Sequence, residues 1–201
     1  MSRRLRTPAF LIGFALGGFL DGILLHQILQ WHHVVSGVTD KSDLRFQAWA
    51  DGVFHAIHYL LGVAGIALLY ARRRDAATED GGRVLAGATL LGFGAWHLLD
   101  AVVNHWALGL HRINETVANP LPWDLAFFGL GLASAVAGWM VMRGRGGGGG
   151  RVVAAGLVAV AIVAGPVSAL PPAGVDPEVA ALLSGMPLPA NCVGWTVMAG
   201  R

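Results

Sequence analysis

The 201-residue chain has few charged residues and a single cysteine. Asp, Glu, Lys and Arg make up 13% of it, about half their usual share in a globular domain, whereas hydrophobic residues reach 55% and the mean hydropathy is +0.59. Such a chain cannot cover a soluble domain with polar surface, so we predict an integral membrane protein. One cysteine excludes an intramolecular disulfide framework and a cysteine-rich zinc module.

Motifs of several enzyme classes are also missing from the sequence. The glycine run 146–150 lacks the lysine and the preceding strand of a phosphate-binding loop, and no nucleophile elbow occurs. The net charge of +2 arises from short basic runs beside apolar stretches, so we predict no nucleic-acid partner. The predicted partner is the lipid bilayer. A membrane-protein or respiratory partner and a homo-oligomer are compatible with the sequence.

Five apolar stretches have about the 20-residue length that crosses a bilayer. They cover residues 8–29, 49–70, 84–108, 122–142 and 152–170. We do not expect the first to be a cleaved signal peptide, because Asp21, His26 and Gln27 interrupt its far end. We predict an all-α, polytopic membrane helical bundle. It comprises a four-helix domain over residues 1–143, a Gly-rich linker over 144–151, and a fifth transmembrane helix with a Pro/Gly-rich tail over 152–201.

The basic residues are distributed unevenly about these spans. Ten of the fourteen precede the first span or lie between the second and third or the fourth and fifth spans. The positive-inside rule therefore predicts a bacterial inner-membrane protein with its N-terminus in the cytoplasm and its C-terminus outside. Four tryptophans then fall near the outer interface, where amphipathic rings are favoured: Trp31, Trp49, Trp106 and Trp123.

All eight histidines fall at the midplane or on the predicted outer side of the bilayer. They are His26, His32, His33, His55, His58, His97, His105 and His111. Four acids share this bias: Asp21, Asp51, Asp100 and Asp124. Buried ionisable groups in a membrane are costly and usually face the bundle interior, where they are paired or functional. The histidines and acids are therefore predicted to converge on one layer of the bundle.

Helical spacing groups these side chains further. Asp51, His55 and His58 share one face of the second helix, and His97, Asp100, Asn104 and His105 share a face of the third. Asp21 and His26 are five residues apart and do not share an α-helical face, which weakens the pattern in the first helix. No long internal repeat is evident.

The pattern favours a transition-metal site, because neutral imidazole is the commonest metal ligand and a carboxylate on its other nitrogen would orient it. The predicted ligands are His26, His33, His55, His105, His111, Asp21, Asp51 and Asp100, with His32, His58, His97, Asn104 and Asp124 as secondary candidates. Nitrogen and oxygen donors suit copper, iron or zinc. Asp51 and Asp124 are also interpreted as first-turn acids that complement a helix dipole.

Three segments resemble an uncharacterised bacterial membrane family, the domain of unknown function 2243. They are residues 13–33 (GFALGGFLDGILLHQILQWHH), 51–56 (DGVFHA) and 92–115. The resemblance runs from about residue 10 to residue 143 and implies a small helical membrane protein rich in His and acids, with no established activity. The third segment departs from the family pattern by carrying His97 and by lacking donors beside Asn104 and His111. The resemblance also suggests a link to respiratory copper assembly.

Four functions stay open from the sequence. The first is a non-haem transition-metal protein that acts as an oxidoreductase or handles copper for the respiratory chain. The second is a zinc-dependent membrane hydrolase with zinc-bound water as its nucleophile. The third is a haem b electron carrier with His58 and His97 as axial ligands. The fourth is a proton-linked transporter or assembly partner without metal. Cys192 with Met186 and Met198 forms a further candidate copper site, set against ordinary packing.

Overall fold

The computed structural model describes residues 2–78 and 80–144, and all regular elements in these ranges are helices. A 3-10 turn (Ser2–Leu5) leads into α1 (Arg6–Phe19), which continues as a π-helical segment (Leu20–Ile28). Then come α2 (Leu44–Ala71), the short α3 (Arg73–Ala76) and α4 (Gly81–Leu99) with its π-helical continuation (Asp100–Ala107). The last is α5 (Leu121–Arg143). The predicted fifth span and tail, including Met186, Cys192 and Met198, lie outside the described residues.

Four of these helical segments are long and apolar enough to cross a bilayer. They are Arg6–Ile28, Leu44–Ala71, Gly81–Ala107 and Leu121–Arg143. The prediction of an all-α membrane bundle is therefore confirmed over its four described spans. Their outer surface is apolar, with Leu60 and Ile66 each more than half exposed, as contact with lipid tails requires.

The second span begins earlier than predicted. Asp43 caps α2 by accepting a hydrogen bond from the Phe46 N–H at 3.0 Å, so the helix starts before Trp49. Asp51 consequently lies about two turns inside α2. Its interpretation as a first-turn acid was wrong, whereas Asp124 does lie in the first turn of α5.

The helices form two pairs, α1 with α2 and α4 with α5, and α1 and α4 pack against each other at the centre. Glycines allow this close approach. A β-carbon on Gly13 would collide with the Thr89 carbonyl oxygen, and one on Gly92 would collide with the Phe10 carbonyl oxygen. Small residues commonly allow membrane helices to pack in this way.

The two ends of the bundle differ in chemistry. At one end, Arg72 donates to the Arg4 carbonyl and Arg83 donates to the Met142 carbonyl at 2.7 Å. At the other end, the π-helical segments give way to the loops 29–43 and 108–120. The His and Asp side chains singled out by the sequence lie towards this second end.

Candidate metal centre

Two π-helical segments bring an aspartate and a histidine onto one face in each half of the bundle. Hydrogen bonds in a π-helix run between residues five apart, so such residues lie above one another. Asp21 and His26 lie in Leu20–Ile28, and Asp100 and His105 lie in Asp100–Ala107. The expectation that Asp21 and His26 do not share a face was therefore wrong, because the backbone changes its period there.

A histidine from the following loop joins each pair. We call Asp21, His26 and His32 the first group, and Asp100, His105 and His111 the second group. Within each group, one ligand atom from every residue lies within 4.8 Å of the other two. All six residues are almost completely buried.

The Nε2 atoms of all four histidines face the carboxylate of their own group. In the first group, Nε2 of His26 and Nε2 of His32 lie 3.7 and 3.5 Å from Oδ1 of Asp21. In the second, Nε2 of His105 lies 3.0 Å from Oδ2 of Asp100, and Nε2 of His111 lies 3.7 Å from Oδ1. Each group therefore directs two imidazole nitrogens and a carboxylate at one small volume.

The Nδ1 atoms of the two helical histidines face a second carboxylate. Nδ1 of His26 lies 3.1 Å from Oδ1 of Asp51, and Nδ1 of His105 lies 3.1 Å from Oδ1 of Asp124. Neither contact has hydrogen-bond geometry, so each is a close approach of a carboxylate to an imidazole. A carboxylate beside Nδ1 favours the proton there and leaves the Nε2 lone pair for a ligand.

The Nδ1 atoms of the two loop histidines donate to backbone carbonyls of the opposite half. His32 donates to the Ile113 carbonyl at 3.0 Å, and His111 donates to the Val34 carbonyl at 2.9 Å. These acceptors assign the proton to Nδ1 in both rings. All four histidines thus present Nε2, which is the arrangement typical of metal-binding imidazoles.

Asp51 and Asp124 are themselves held by a network of donors. Asp51 accepts hydrogen bonds from Nδ1 of His33 at 2.7 Å and from the Val34 N–H at 3.0 Å. Asp124 accepts from the Arg112 guanidinium at 2.5 Å and from the Ile113 N–H at 2.9 Å. The structure therefore places His33, Asp51 and Asp124 behind the two groups, where they orient His26 and His105.

The two groups are related by an internal repeat. Each member of the second group lies 79 positions after its counterpart in the first, so Asp-x4-His-x5-His occurs twice. The same offset relates Gln30 to Gly109, and both have a positive φ, 51° for Gln30 and 62° for Gly109. The expectation that the sequence has no long internal repeat was therefore wrong. The repeat was missed because few residues outside the two groups are identical.

Aromatic rings enclose the two groups in matching positions. The ring of Phe54 lies 5.3 Å from His26, and that of Phe127 lies 5.6 Å from His105, centroid to centroid. The rings of His32 and His111 stack at 4.5 Å with an interplanar angle of 11°. The two groups are thus neighbours in one buried compartment.

Four other predicted residues lie outside the two groups. His55 is half-buried with its Nε2 beside Gly22, and Asn104 donates to Oδ1 of Asp100 at 2.6 Å. Nδ1 of His58 and Nδ1 of His97 each lie 2.9 Å from the carbonyl four residues earlier. Of the predicted leading ligands, His33, Asp51 and His55 therefore join neither group. His32, a secondary candidate, belongs to the first.

His58 and His97 have related packing positions with the roles exchanged between the halves. The ring of His58 on α2 packs against Gly18 on α1, whereas His97 on α4 packs against Gly131 on α5. In each half one helix contributes the imidazole and the other contributes the glycine that accommodates it. This exchange explains why His97 has no histidine counterpart in α1.

The two loop histidines differ in their electrostatics. Burial lowers the pKa of His32 to about 4, despite the opposing effect of Asp21. Burial also acts to lower the pKa of His111, but the Asp100 carboxylate outweighs it and raises this pKa to about 9. His32 is therefore neutral near pH 7 and needs to lose no proton to bind a metal, whereas His111 must release a proton first.

The unpaired atoms in the compartment fit a metal ion. Nε2 of His26, His32, His105 and His111 and both carboxylate oxygens of Asp21 are buried without a hydrogen-bond partner. Leaving such atoms without a partner costs free energy, so they normally find a hydrogen bond, water or ion. Nitrogen and oxygen donors in this number suit a transition-metal ion.

These features define a polytopic helical membrane protein with a buried candidate centre of histidines and aspartates. A family model described as "Predicted membrane protein (DUF2243)" matches residues 8–145. The chain therefore belongs to this family, as the resemblance indicated, and the match includes both groups. No curated protein and no solved structure matches the chain.

Proposed function

We propose that this membrane protein binds transition-metal ions through the first and second groups and uses them in a non-haem redox reaction. The observation that supports this most directly is the orientation of four imidazoles. Each has Nδ1 beside an acceptor and Nε2 directed at a buried carboxylate. His26 and His105 have a carboxylate on both sides of the ring, which an ordinary core histidine does not need.

The donor set favours iron, with zinc as the second choice. Two histidines and one carboxylate with open positions form the ligand set of non-haem iron(II) oxygenases. A similar set also holds catalytic zinc, which would favour the hydrolase. Neither group contains a sulfur donor, so the geometry gives little support to a site for copper(I).

The packing favours a metal ion over haem. The ring of His58 lies 4.3 Å from Phe54 and 4.4 Å from Trp96, and the ring of His97 lies 4.4 Å from both Phe93 and Phe127. Aromatic side chains thus surround both imidazoles where a porphyrin would have to fit.

We infer the location of the centre from the basic residues. Arg72, Arg73, Arg74, Arg83 and Arg143 lie at the end of the bundle away from the two groups. The positive-inside rule would place this end in the cytoplasm, so the centre would face the outer side of a bacterial inner membrane. A site there would act on substrates or respiratory partners from that side.

Elemental analysis and a visible spectrum of the detergent-purified full-length protein test the proposal. We expect bound iron and no Soret band, whereas bound zinc would refute the redox reaction and favour the hydrolase, because zinc has no redox chemistry. His26→Ala combined with His105→Ala should lower the metal content at least tenfold, and His55→Ala should retain it, since His55 belongs to neither group. A Soret band, or no binding after incubation with iron, zinc or copper ions, would overturn the proposal.

A further inference from the structure

We propose that the two halves of the bundle each bind one metal ion, so that the centre contains two ions in one compartment. This inference rests on the proposed metal-binding function and extends it. It follows from three observations. The two halves make equivalent contacts, their ligand atoms form two separate sets, and these sets lie close together.

The halves are equivalent in direction as well as in contacts. Because α2 returns the chain across the bilayer, α1 and α4 run in the same direction. Repeats of this kind are related by an axis along the membrane normal. The contacts of Gly13 with Thr89 and of Gly92 with Phe10 are counterparts under the 79-residue offset. The axis therefore passes between α1 and α4.

Each half also has its own complete set of supporting contacts. A second carboxylate contacts the helical histidine at 3.1 Å in both halves, Asp51 in the first and Asp124 in the second. That carboxylate accepts the N–H of Val34 in the first half and of Ile113 in the second. The repeat thus extends beyond the ligands to the residues that orient them, which a single asymmetric site would not require.

A single ion cannot use all six ligand atoms. Opposite ligands of an octahedral ion with bonds of about 2.1 Å are about 4.2 Å apart. The ligand atoms of each group lie within 4.8 Å of one another, and in the described part of the chain they form two separate sets rather than one. Two separate ions therefore satisfy the donors, whereas one ion would leave a full group unused.

The two ions would nevertheless be neighbours. His32 and His111 stack at 4.5 Å, and the rings of His26 and His111 are 6.1 Å apart. With three protein ligands each, both ions keep open coordination positions. A small oxygen-donor ligand, such as a water-derived hydroxide, is the class of molecule that bridges such a pair.

Counting ions on the full-length protein tests this inference. Metal-free protein is loaded with Co²⁺, desalted and analysed for cobalt per chain. We expect two ions in the wild type and in His55→Gln. We expect one ion when Asp21→Asn is combined with His32→Gln, and one when Asp100→Asn is combined with His111→Gln. All four substitutions together should leave none.

The outcomes separate this inference from the proposed function. One ion in the wild type, lost equally in both double variants, would refute the two-ion centre and leave the metal-binding function intact. No ion in the wild type would refute both. Where a double variant does not yield folded protein, the wild-type count still decides between two ions and one.

Discussion

Replacing Asp51 tests most directly whether the carboxylates behind the two groups orient the histidines of those groups. Asp51→Asn keeps the side-chain shape but removes the negative charge and replaces one acceptor oxygen with a donor. Oδ2 accepts from His33 at 2.7 Å and from Gln27 at 3.0 Å, while Oδ1 accepts from the Val34 N–H at 3.0 Å and contacts His26 at 3.1 Å. An amide nitrogen in place of Oδ2 removes the acceptor of His33 and Gln27. In place of Oδ1, it removes the acceptor of the Val34 N–H and the carboxylate oxygen beside His26.

The expected effects follow from these contacts. Loss of a carboxylate that orients a metal-binding histidine typically weakens metal affinity by about 10- to 100-fold, or about 1.4–2.7 kcal/mol. The unsatisfied buried donors should also lower the free energy of unfolding by about 1–3 kcal/mol each. The second group uses Asp124 in place of Asp51, so its affinity should change little.

Competition for Co²⁺ with a coloured chelator of known affinity measures this effect in detergent. In Asp51→Asn we expect the first group to bind more weakly and the second group to be unchanged. In Asp124→Asn we expect the second group to be weakened and the first to be unchanged. Asp43→Asn is the matched control, because Asp43 is exposed and caps α2 outside the centre. An Asp51→Asn protein that is folded and binds both ions with wild-type affinity would refute the orienting role of this carboxylate.

Three further predictions concern packing, topology and pH. Gly13→Leu should lower the thermal midpoint, at a cost of about 1–3 kcal/mol or more, because the new side chain must push α4 away; Gly52→Leu, where a β-carbon meets no atom within 4 Å, should leave it nearly unchanged. In a Cys192→Ser background, a membrane-impermeant thiol reagent applied to intact cells should label Ser42→Cys but not Thr78→Cys, and the reverse labelling would contradict the proposed orientation. Lowering the pH from about 7.5 to about 5 should weaken metal binding at the second group, because the pKa of His111 is raised to about 9 and this ring must lose a proton to bind; His32, whose pKa is lowered to about 4, stays neutral over this range. An affinity of the second group that does not change with pH would contradict ligation by His111.

The sequence was sufficient to predict the four described spans and the clustering of the polar residues. Long apolar runs identify membrane helices, and buried His and Asp residues are rare enough in such runs to mark a site. The start of α2 was missed because Asp43, a polar capping residue, lies before the apolar run begins. That error alone led to the wrong interpretation of Asp51.

The composition of each group was harder to predict, for two physical reasons. The α-helical period separates residues five apart, and only a π-helical backbone brings Asp21 and His26 together. His32 lies beyond the helix, and its Nδ1 acceptor is a carbonyl 81 residues away, which no local pattern encodes. The repeated five- and six-residue spacing in Asp-x4-His-x5-His was the signal present in the sequence.

The exchanged hydrogen bonds of the loop histidines make each half of the bundle a part of the opposite candidate site. His32 is held by the carbonyl of Ile113, and His111 is held by that of Val34. Ordering one loop around an ion therefore also fixes the acceptor that orients a ligand in the opposite group. By linkage, any effect of an ion in one group on the affinity of the other group would be equal in both directions.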